Sequence, residues 1–107
     1  MIIVTTPDVQ GKQVMHTLGL VRGSSIRSRH IGKDIMALLR NIAGGEVREY
    51  TKILAEAREQ ALDRMVDEAK ALDADAVLCV RFQTSMVMAG AAEMLCYGTA
   101  VTLEPST

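Results

Sequence analysis

An apolar stripe with helical spacing runs through residues 46–72 and constrains the fold of this chain more than any other feature. Steps of three and four residues separate its members, which is the spacing of one face of an α-helix. A helix of that length measures about 40 Å and is long for a chain of 107 residues, so the rest of the chain must cover the stripe. The stripe consists of Val47, Tyr50, Leu54, Ala57, Ala61, Met65, Ala69 and Leu72.

A shorter helix is predicted directly before the long one. Its apolar residues, at positions 31, 35, 38 and 42, also have helical spacing, and Gly44 is of the residue type that commonly ends a helix. Because only a short glycine-containing link separates the two helices, we expect them to form a bent or antiparallel pair.

Strand-like segments occur on both sides of the predicted helices. Residues 13–23, 76–84 and 93–103 are rich in β-branched and apolar side chains, and a short run of the same kind spans residues 2–6. Gly19, within the first of the long segments, is expected at a bulge or at a point of close backbone approach. The predicted core is therefore β-α-α-β-β, an α+β fold.

The last two strands are predicted to form a hairpin with residues 89–90 as its turn. Residues 93–103 should be the central strand, because Cys96, Gly98 and Ala100 are small enough for close packing on both faces. Both hairpin strands are apolar on both sides, whereas one pair of helices covers only one face of a sheet. The uncovered apolar area would exceed what soluble monomers carry, so we expect an obligate homo-oligomer.

Composition argues against several classes of protein. The formal net charge of −1 provides no general attraction to nucleic acid or to anionic membranes. No segment has the length and hydrophobicity of a signal peptide or a membrane span, so we expect a cytoplasmic protein with a single domain over residues 1–107. Its two cysteines are too few for a disulfide scaffold.

A series of short motifs extends along nearly the whole chain. The motifs are VRG at residues 21–23, RHIGKDI at 29–35, LRNI at 39–42, GGE at 44–46, YT at 50–51, AR at 57–58, RM at 64–65, ADAV at 74–77 and YGTAV at 97–101. Each motif is weak alone, but their order and spacing are specific. On these motifs the chain resembles the YbjQ-like family.

The resemblance implies a dodecin-like subunit with a three-stranded antiparallel sheet packed on two helices. It also implies a ring-like homo-oligomer, a pentamer, in which the short N-terminal strand with Ile2, Ile3 and Val4 takes part in assembly. The family carries the description of a heavy-metal-binding domain, so a heavy metal is the candidate cofactor. Asp73 and Cys79 depart from the family pattern, which has a helix-ending glycine at the first position and a small residue, commonly glycine, at the second.

The candidate metal ligands are soft sulfur groups and imidazoles. They are the thiols of Cys79 and Cys96, the imidazoles of His16 and His30, and the thioethers of Met86, Met88 and Met94. If residues 89–90 form a two-residue turn, the two thiols share a face of the sheet but lie about 13 Å apart, whereas a longer loop would place them side by side. With the simpler turn, no tightly bound metal should require both cysteines. Both are then expected to be core residues, because cysteine is among the most buried residue types.

Two further groups of residues are candidates for function. Arg22, Arg27, Arg29 and Lys33 would form an anion site if subunits bring them together, and otherwise form a solvated or salt-bridged edge. Met86 and Met88 lie near the hairpin turn and are expected to pack against a neighbouring subunit, because methionine adapts to irregular gaps.

Catalysis has little support in the sequence. Ser24, Ser25, Ser28, His30 and Asp34 lie close together, but no nucleophile-elbow or triad context surrounds them. The first hypothesis is a non-catalytic homo-oligomeric module that holds a small ligand between subunits. The alternative is a heavy-metal-binding or metal-sensing protein with sulfur and imidazole ligands, and an enzyme is the third hypothesis.

Overall fold

The structure, a computed structural model, describes residues 1–27, 47–88 and 91–106. The shorter predicted helix lies outside these residues, as do the candidate site residues Arg29, His30 and Lys33. The described elements are strand β1 (Ile2–Ile3), strand β2 (Lys12–Arg27), helix α1 (Val47–Ala71), strand β3 (Ala76–Met88) and strand β4 (Ala91–Pro105). Within this part of the chain, no helix is long and apolar enough to cross a membrane.

The four strands form one sheet in the order β1-β3-β4-β2. β4 is antiparallel to both of its neighbours, which confirms the prediction that residues 93–103 lie in the centre of the sheet. The predicted count of three strands is wrong, because the chain start adds β1 as a fourth strand parallel to β3. Ile2 and Val4 donate backbone hydrogen bonds to the carbonyls of Asp75 and Val77, so the sheet is mixed rather than purely antiparallel.

α1 packs on one face of the sheet through three alanines and one methionine of the apolar stripe. Ala57, Ala61, Met65 and Ala69 follow one another at intervals of four residues and are buried. The helix backbone approaches β2 so closely that a Cβ atom on Gly23 would overlap the backbone of Ala61 and of Met65. The other buried residues of this core are Val21, Val77, Val80, Met94, Cys96 and Ala100.

A second cluster of buried residues contains no residue of α1. It consists of Ala76, Leu78 and Val101, and the N-terminal segment packs against it with Ile2, Val4 and Val9. The N-terminal segment therefore covers a part of the sheet that shares no core with α1.

Irregular pairing confirms the bulge predicted at Gly19. The register between β2 and β4 shifts between Thr17 and Gly19, and again between Val14 and His16. Gly19 has a φ of 123°, a backbone conformation that residues with a side chain rarely adopt. The first half of β2 is therefore irregular, and its second half pairs with β4 without interruption.

α1 ends in a Schellman motif whose left-handed residue is Asp73. Asp73 has a φ of 59°. Its N–H bonds to the carbonyl of Lys70, and the N–H of Ala74 bonds to the carbonyl of Ala69. Glycine is the usual residue at this position of the motif. This explains the glycine that the family pattern has where this chain has Asp73.

Asp73→Gly is expected to stabilise the subunit by about 1 kcal/mol, because it removes the steric cost of a left-handed aspartate and a negative charge at the negative end of a helix. Asp67→Gly, the same substitution at an exposed position inside α1, should instead destabilise the subunit by about 0.3 kcal/mol, because glycine is a poorer helix former than aspartate. Urea unfolding followed by circular dichroism measures both changes. A less stable Asp73→Gly variant would contradict the account of this helix end.

Among the described non-glycine residues, Cys79 also has a left-handed backbone, with a φ of 55°. It lies in a β-bulge, where Cys79 and Val80 of β3 together stand opposite Gly98 of β4. The N–H groups of Cys79 and Val80 bond to the carbonyls of Thr6 and Val4 in the N-terminal segment. Bulges of this kind favour glycine at the left-handed position, which explains the glycine that is common there in the family.

Candidate functional site

The two cysteines lie in different clusters of buried residues. Cys96 belongs to the core under α1, whereas Cys79 is half-buried and packs against the second cluster. The prediction that the two thiols share a face is wrong, because the bulge adds one residue to β3 and so reverses the alternation of its side chains. The register also differs by one residue from the two-residue-turn prediction, since Cys96 stands opposite Phe82 rather than Gln83.

The thiol of Cys96 pairs with another sulfur atom. Its Sγ atom donates a hydrogen bond to Sδ of Met65 over 3.5 Å, and both residues are fully buried. Burial raises the pKa of the Cys96 thiol to about 11, because the charged thiolate would lose its hydration. Cys96 is therefore a neutral thiol at physiological pH, and a metal ion would have to displace its proton.

His16 is exposed on β2, opposite Thr102. Its imidazole is thus separate from the buried thiol of Cys96. In the described ranges, no group of three or more His, Cys, Asp or Glu side chains could hold a metal ion. The structure describes the side chains of four predicted ligands: Met94 belongs to the same core as Cys96, whereas Cys79 and His16 lie apart from them.

Arg22 is the predicted anion-binding residue whose side chain the structure describes. It is exposed on β2 and pairs with Tyr97 of β4, which pairs on its other side with Arg81 of β3. Opposite residues of antiparallel strands lie on the same face, so two arginines flank Tyr97. The side chains of the other three predicted residues are outside the described part of the chain, and their convergence stays a prediction.

The sheet face away from α1 carries exposed apolar side chains, and we call it the open face. On β2, Leu20 is 62% exposed and Ile26 is 55% exposed. On β4, Leu95 and Tyr97 are half-buried. They lie on the same open face, because they alternate along the strand with Met94 and Cys96, which lie in the core under α1. Apolar surface of this kind commonly marks an interaction site. The open face comprises Leu20, Arg22, Ile26, Leu95 and Tyr97.

A groove of about 340 Å³ lies between α1 and the two hairpin strands, lined by Leu54, Arg58, Phe82, Thr84 and Met94. Phe82 is 46% exposed, whereas Met94 is buried. The Thr84 hydroxyl donates a hydrogen bond to Sδ of Met94 over 3.2 Å. The volume lies at the lower end of small-molecule sites, and Arg58 is an exposed cation in a mostly apolar lining.

The predicted assembly residues at the chain start pack within their own subunit. Ile3 contacts the core under α1, and Ile2 and Val4 contact the second cluster. Met86 and Met88 lie at the end of β3, and their side chains are outside the described residues. A role of these five residues in assembly stays a prediction.

Met65 is a site residue that the sequence pattern identifies only as a member of the helical stripe. Helical spacing shows that Met65 is buried, but it gives no sign that its sulfur meets the thiol of Cys96, which lies 31 positions further along the chain. The one available signal is Gly23 in the VRG motif, since a glycine within a strand indicates close approach of another backbone. Gly23 is opposite Cys96 and beneath Met65.

Comparison with known sequences gives a consistent family. The family model YbjQ_1, described as "Putative heavy-metal-binding", matches residues 1–104. A UPF0145 protein of Methanosarcina acetivorans is 60% identical over 101 residues, which cover 94% of this chain and 95% of that protein. A UPF0145 protein of Thermosipho africanus is 51% identical over 106 residues, which cover 99% of this chain and 98% of that protein.

One solved structure supports the fold. It is the crystal structure of a protein of unknown function from Pediococcus pentosaceus, assigned to the DUF74 family, and it matches with a TM-score of 0.63. The match covers 97% of this chain and 98% of that chain at 17% sequence identity. At this identity the likeness concerns the fold alone.

Proposed function

The chain belongs to the YbjQ_1 family of UPF0145 proteins, and we propose that it acts as a non-catalytic homo-oligomeric module, a ring of five subunits. The family resemblance supplies the number five. The physical support for assembly comes from the surface of the single subunit, and the groove supports a binding function.

The exposed apolar side chains of the open face carry this proposal. Leu20 is 62% exposed and Ile26 is 55% exposed in the single subunit, and both lie on the sheet face that α1 does not cover. Soluble monomers rarely expose large contiguous apolar patches, and such patches commonly mark protein contacts. A second subunit would remove these side chains from water.

The open face is the proposed contact surface. Its exposed side chains, Leu20 and Ile26, lie beside the half-buried Leu95 and Tyr97 on a single sheet face. This face differs in composition from the outer surface of α1, which carries Glu56, Glu59, Asp63 and Asp67. A contact between two different surfaces of the same chain repeats head to tail, and it closes into a ring when the rotation is suitable.

The groove is the proposed place for a small ligand between subunits. Its lining combines the exposed ring of Phe82 with the cation of Arg58, so it suits a ligand with an apolar body and an anionic group. The groove is open on one side, and a neighbouring subunit would complete its wall.

Heavy-metal binding is the second candidate function. The observation that favours it is the pair of buried sulfur atoms on Cys96 and Met65, 3.5 Å apart. Sulfur ligands select soft metal ions. The histidine and second thiol predicted from the sequence are not part of this pair.

Light scattering on a gel-filtration peak tests the ring. At micromolar concentration the mass should be about five times the 11.6 kDa of the subunit, because the exposed apolar surface favours association. A mass of one subunit would contradict assembly. Another closed number, such as three or six, would contradict only the count.

A further inference from the structure

Sulfur atoms are concentrated in the core under α1. Cys96 and Met65 are both fully buried, and their sulfur atoms lie 3.5 Å apart. Met94 is two residues before Cys96 on β4 and belongs to the same core. Residues two apart on a strand lie on the same face, so α1 and β4 bring one thiol and two thioethers into a single layer.

We propose that Cys96 and Met65 bind one soft monovalent cation of the Cu⁺ or Ag⁺ class, with the thioether of Met94 as a third ligand. The site rests on the second candidate function, metal binding, and gives it a ligand set. Thiolate and thioether sulfurs are the ligands that select Cu⁺ over harder ions. The site requires none of the imidazoles predicted from the sequence.

Charge balance favours a monovalent ion. When M⁺ binds, the Cys96 S–H bond breaks, an S–M bond forms, and the proton passes to water. The product is electrically neutral, so no net charge remains among the apolar neighbours Val21, Val80 and Ala100. A divalent ion at the same ligands would leave one buried positive charge, which is costly in an apolar core. Zn²⁺ would also need four ligands.

The distance between the sulfur atoms of Cys96 and Met65 is compatible with such a site after a small movement. Two sulfurs bound to one ion at roughly 2.3 Å each lie about 4 to 4.6 Å apart, so the Cys96–Met65 pair must open by about 1 Å or less. Met65 and Met94 each have three rotatable bonds beyond the backbone, which allows this adjustment. Met94 must also release its hydrogen bond from Thr84.

Met94 links the groove to the sulfur layer. It is part of the groove lining and also part of the core that contains Cys96. An ion in the groove would therefore meet the Met94 thioether first.

The test uses Cys79→Ser as the parent protein, so that Cys96 is its only thiol. Cu⁺ is titrated without oxygen against a chromophoric Cu⁺ chelator, and native mass spectrometry gives the number of ions bound. The parent should bind one Cu⁺ per subunit. Cys96→Ala should abolish binding, Met65→Leu should weaken it at least about tenfold, and Met94→Leu should weaken it less.

Two features make the result decisive. Leucine has nearly the volume of methionine, so circular dichroism of Met65→Leu should match that of the parent, and Met15→Leu, at an exposed thioether of β2, should leave affinity unchanged. If the parent binds Cu⁺ and Met65→Leu binds it equally tightly, this site is wrong while metal binding stands. If the parent binds no Cu⁺, both the site and the second candidate function are wrong.

Discussion

Gly23→Ala is expected to lower the free energy of unfolding by about 3 kcal/mol, the upper part of the range for overpacked cores. The added Cβ atom would overlap the backbone of Ala61 and of Met65, and a helix backbone cannot move aside as the end of a long side chain can. Relief of the overlap requires α1 to lift from β2, which would open the core along the helix.

Urea unfolding followed by circular dichroism measures this loss. Thr17→Ala is the control, because it places an alanine at an exposed position of the same strand and should change stability by less than about 1 kcal/mol. An unchanged unfolding midpoint for Gly23→Ala would show that the helix does not press on the strand at this point.

Leu95→Asp should dissociate the proposed ring while the subunit stays folded, and Tyr97→Asp should weaken the ring less. Both side chains lie on the open face and are half-buried in the single subunit, so an aspartate there remains hydrated until a second subunit covers it. At position 95 neither facing residue is cationic, so the covered carboxylate has no partner and costs several kcal/mol, which corresponds to a loss of about 100-fold or more in association. At position 97 the facing residues are Arg22 and Arg81, which would partly compensate the charge.

The measurement combines light scattering for mass with circular dichroism for folding. Gln10→Asp adds the same charge at an exposed position before β2 and should leave the assembly intact. If the double variant Leu95→Asp, Tyr97→Asp remains fully assembled, these side chains face water in the ring and the open face is not the contact surface.

The elements that the sequence predicts best are those with a long periodic pattern. The helical stripe predicts the buried face of α1, because Ala57, Ala61, Met65 and Ala69 all pack in the core. The small residues of 93–103 correctly predict the central strand. Both inferences depend on many residues that agree with one another, so they do not depend on any single contact.

The missed features are decided by contacts between distant parts of the chain. The sequence predicts a strand within residues 2–6, but β1 has two residues, too few to show that it joins the sheet beside β3. The bulge at Cys79 changes the register by one residue, and local spacing cannot show it. The one sign of the bulge in the sequence is position 79, where the family commonly has glycine and this chain has Cys79. The Cys96–Met65 pair depends on where α1 crosses β2, which the close approach at Gly23 fixes.

The hydrogen bonds between the chain start and the bulge also constrain the order of folding. They join Thr6 to Cys79 and Val4 to Val80, so their formation closes a loop of roughly 75 residues and is entropically costly. During synthesis the N-terminal segment leaves the ribosome long before β3 exists. Ile2, Ile3 and Val4 are thus translated long before their partners, and until β3 forms these apolar residues are available to other strands.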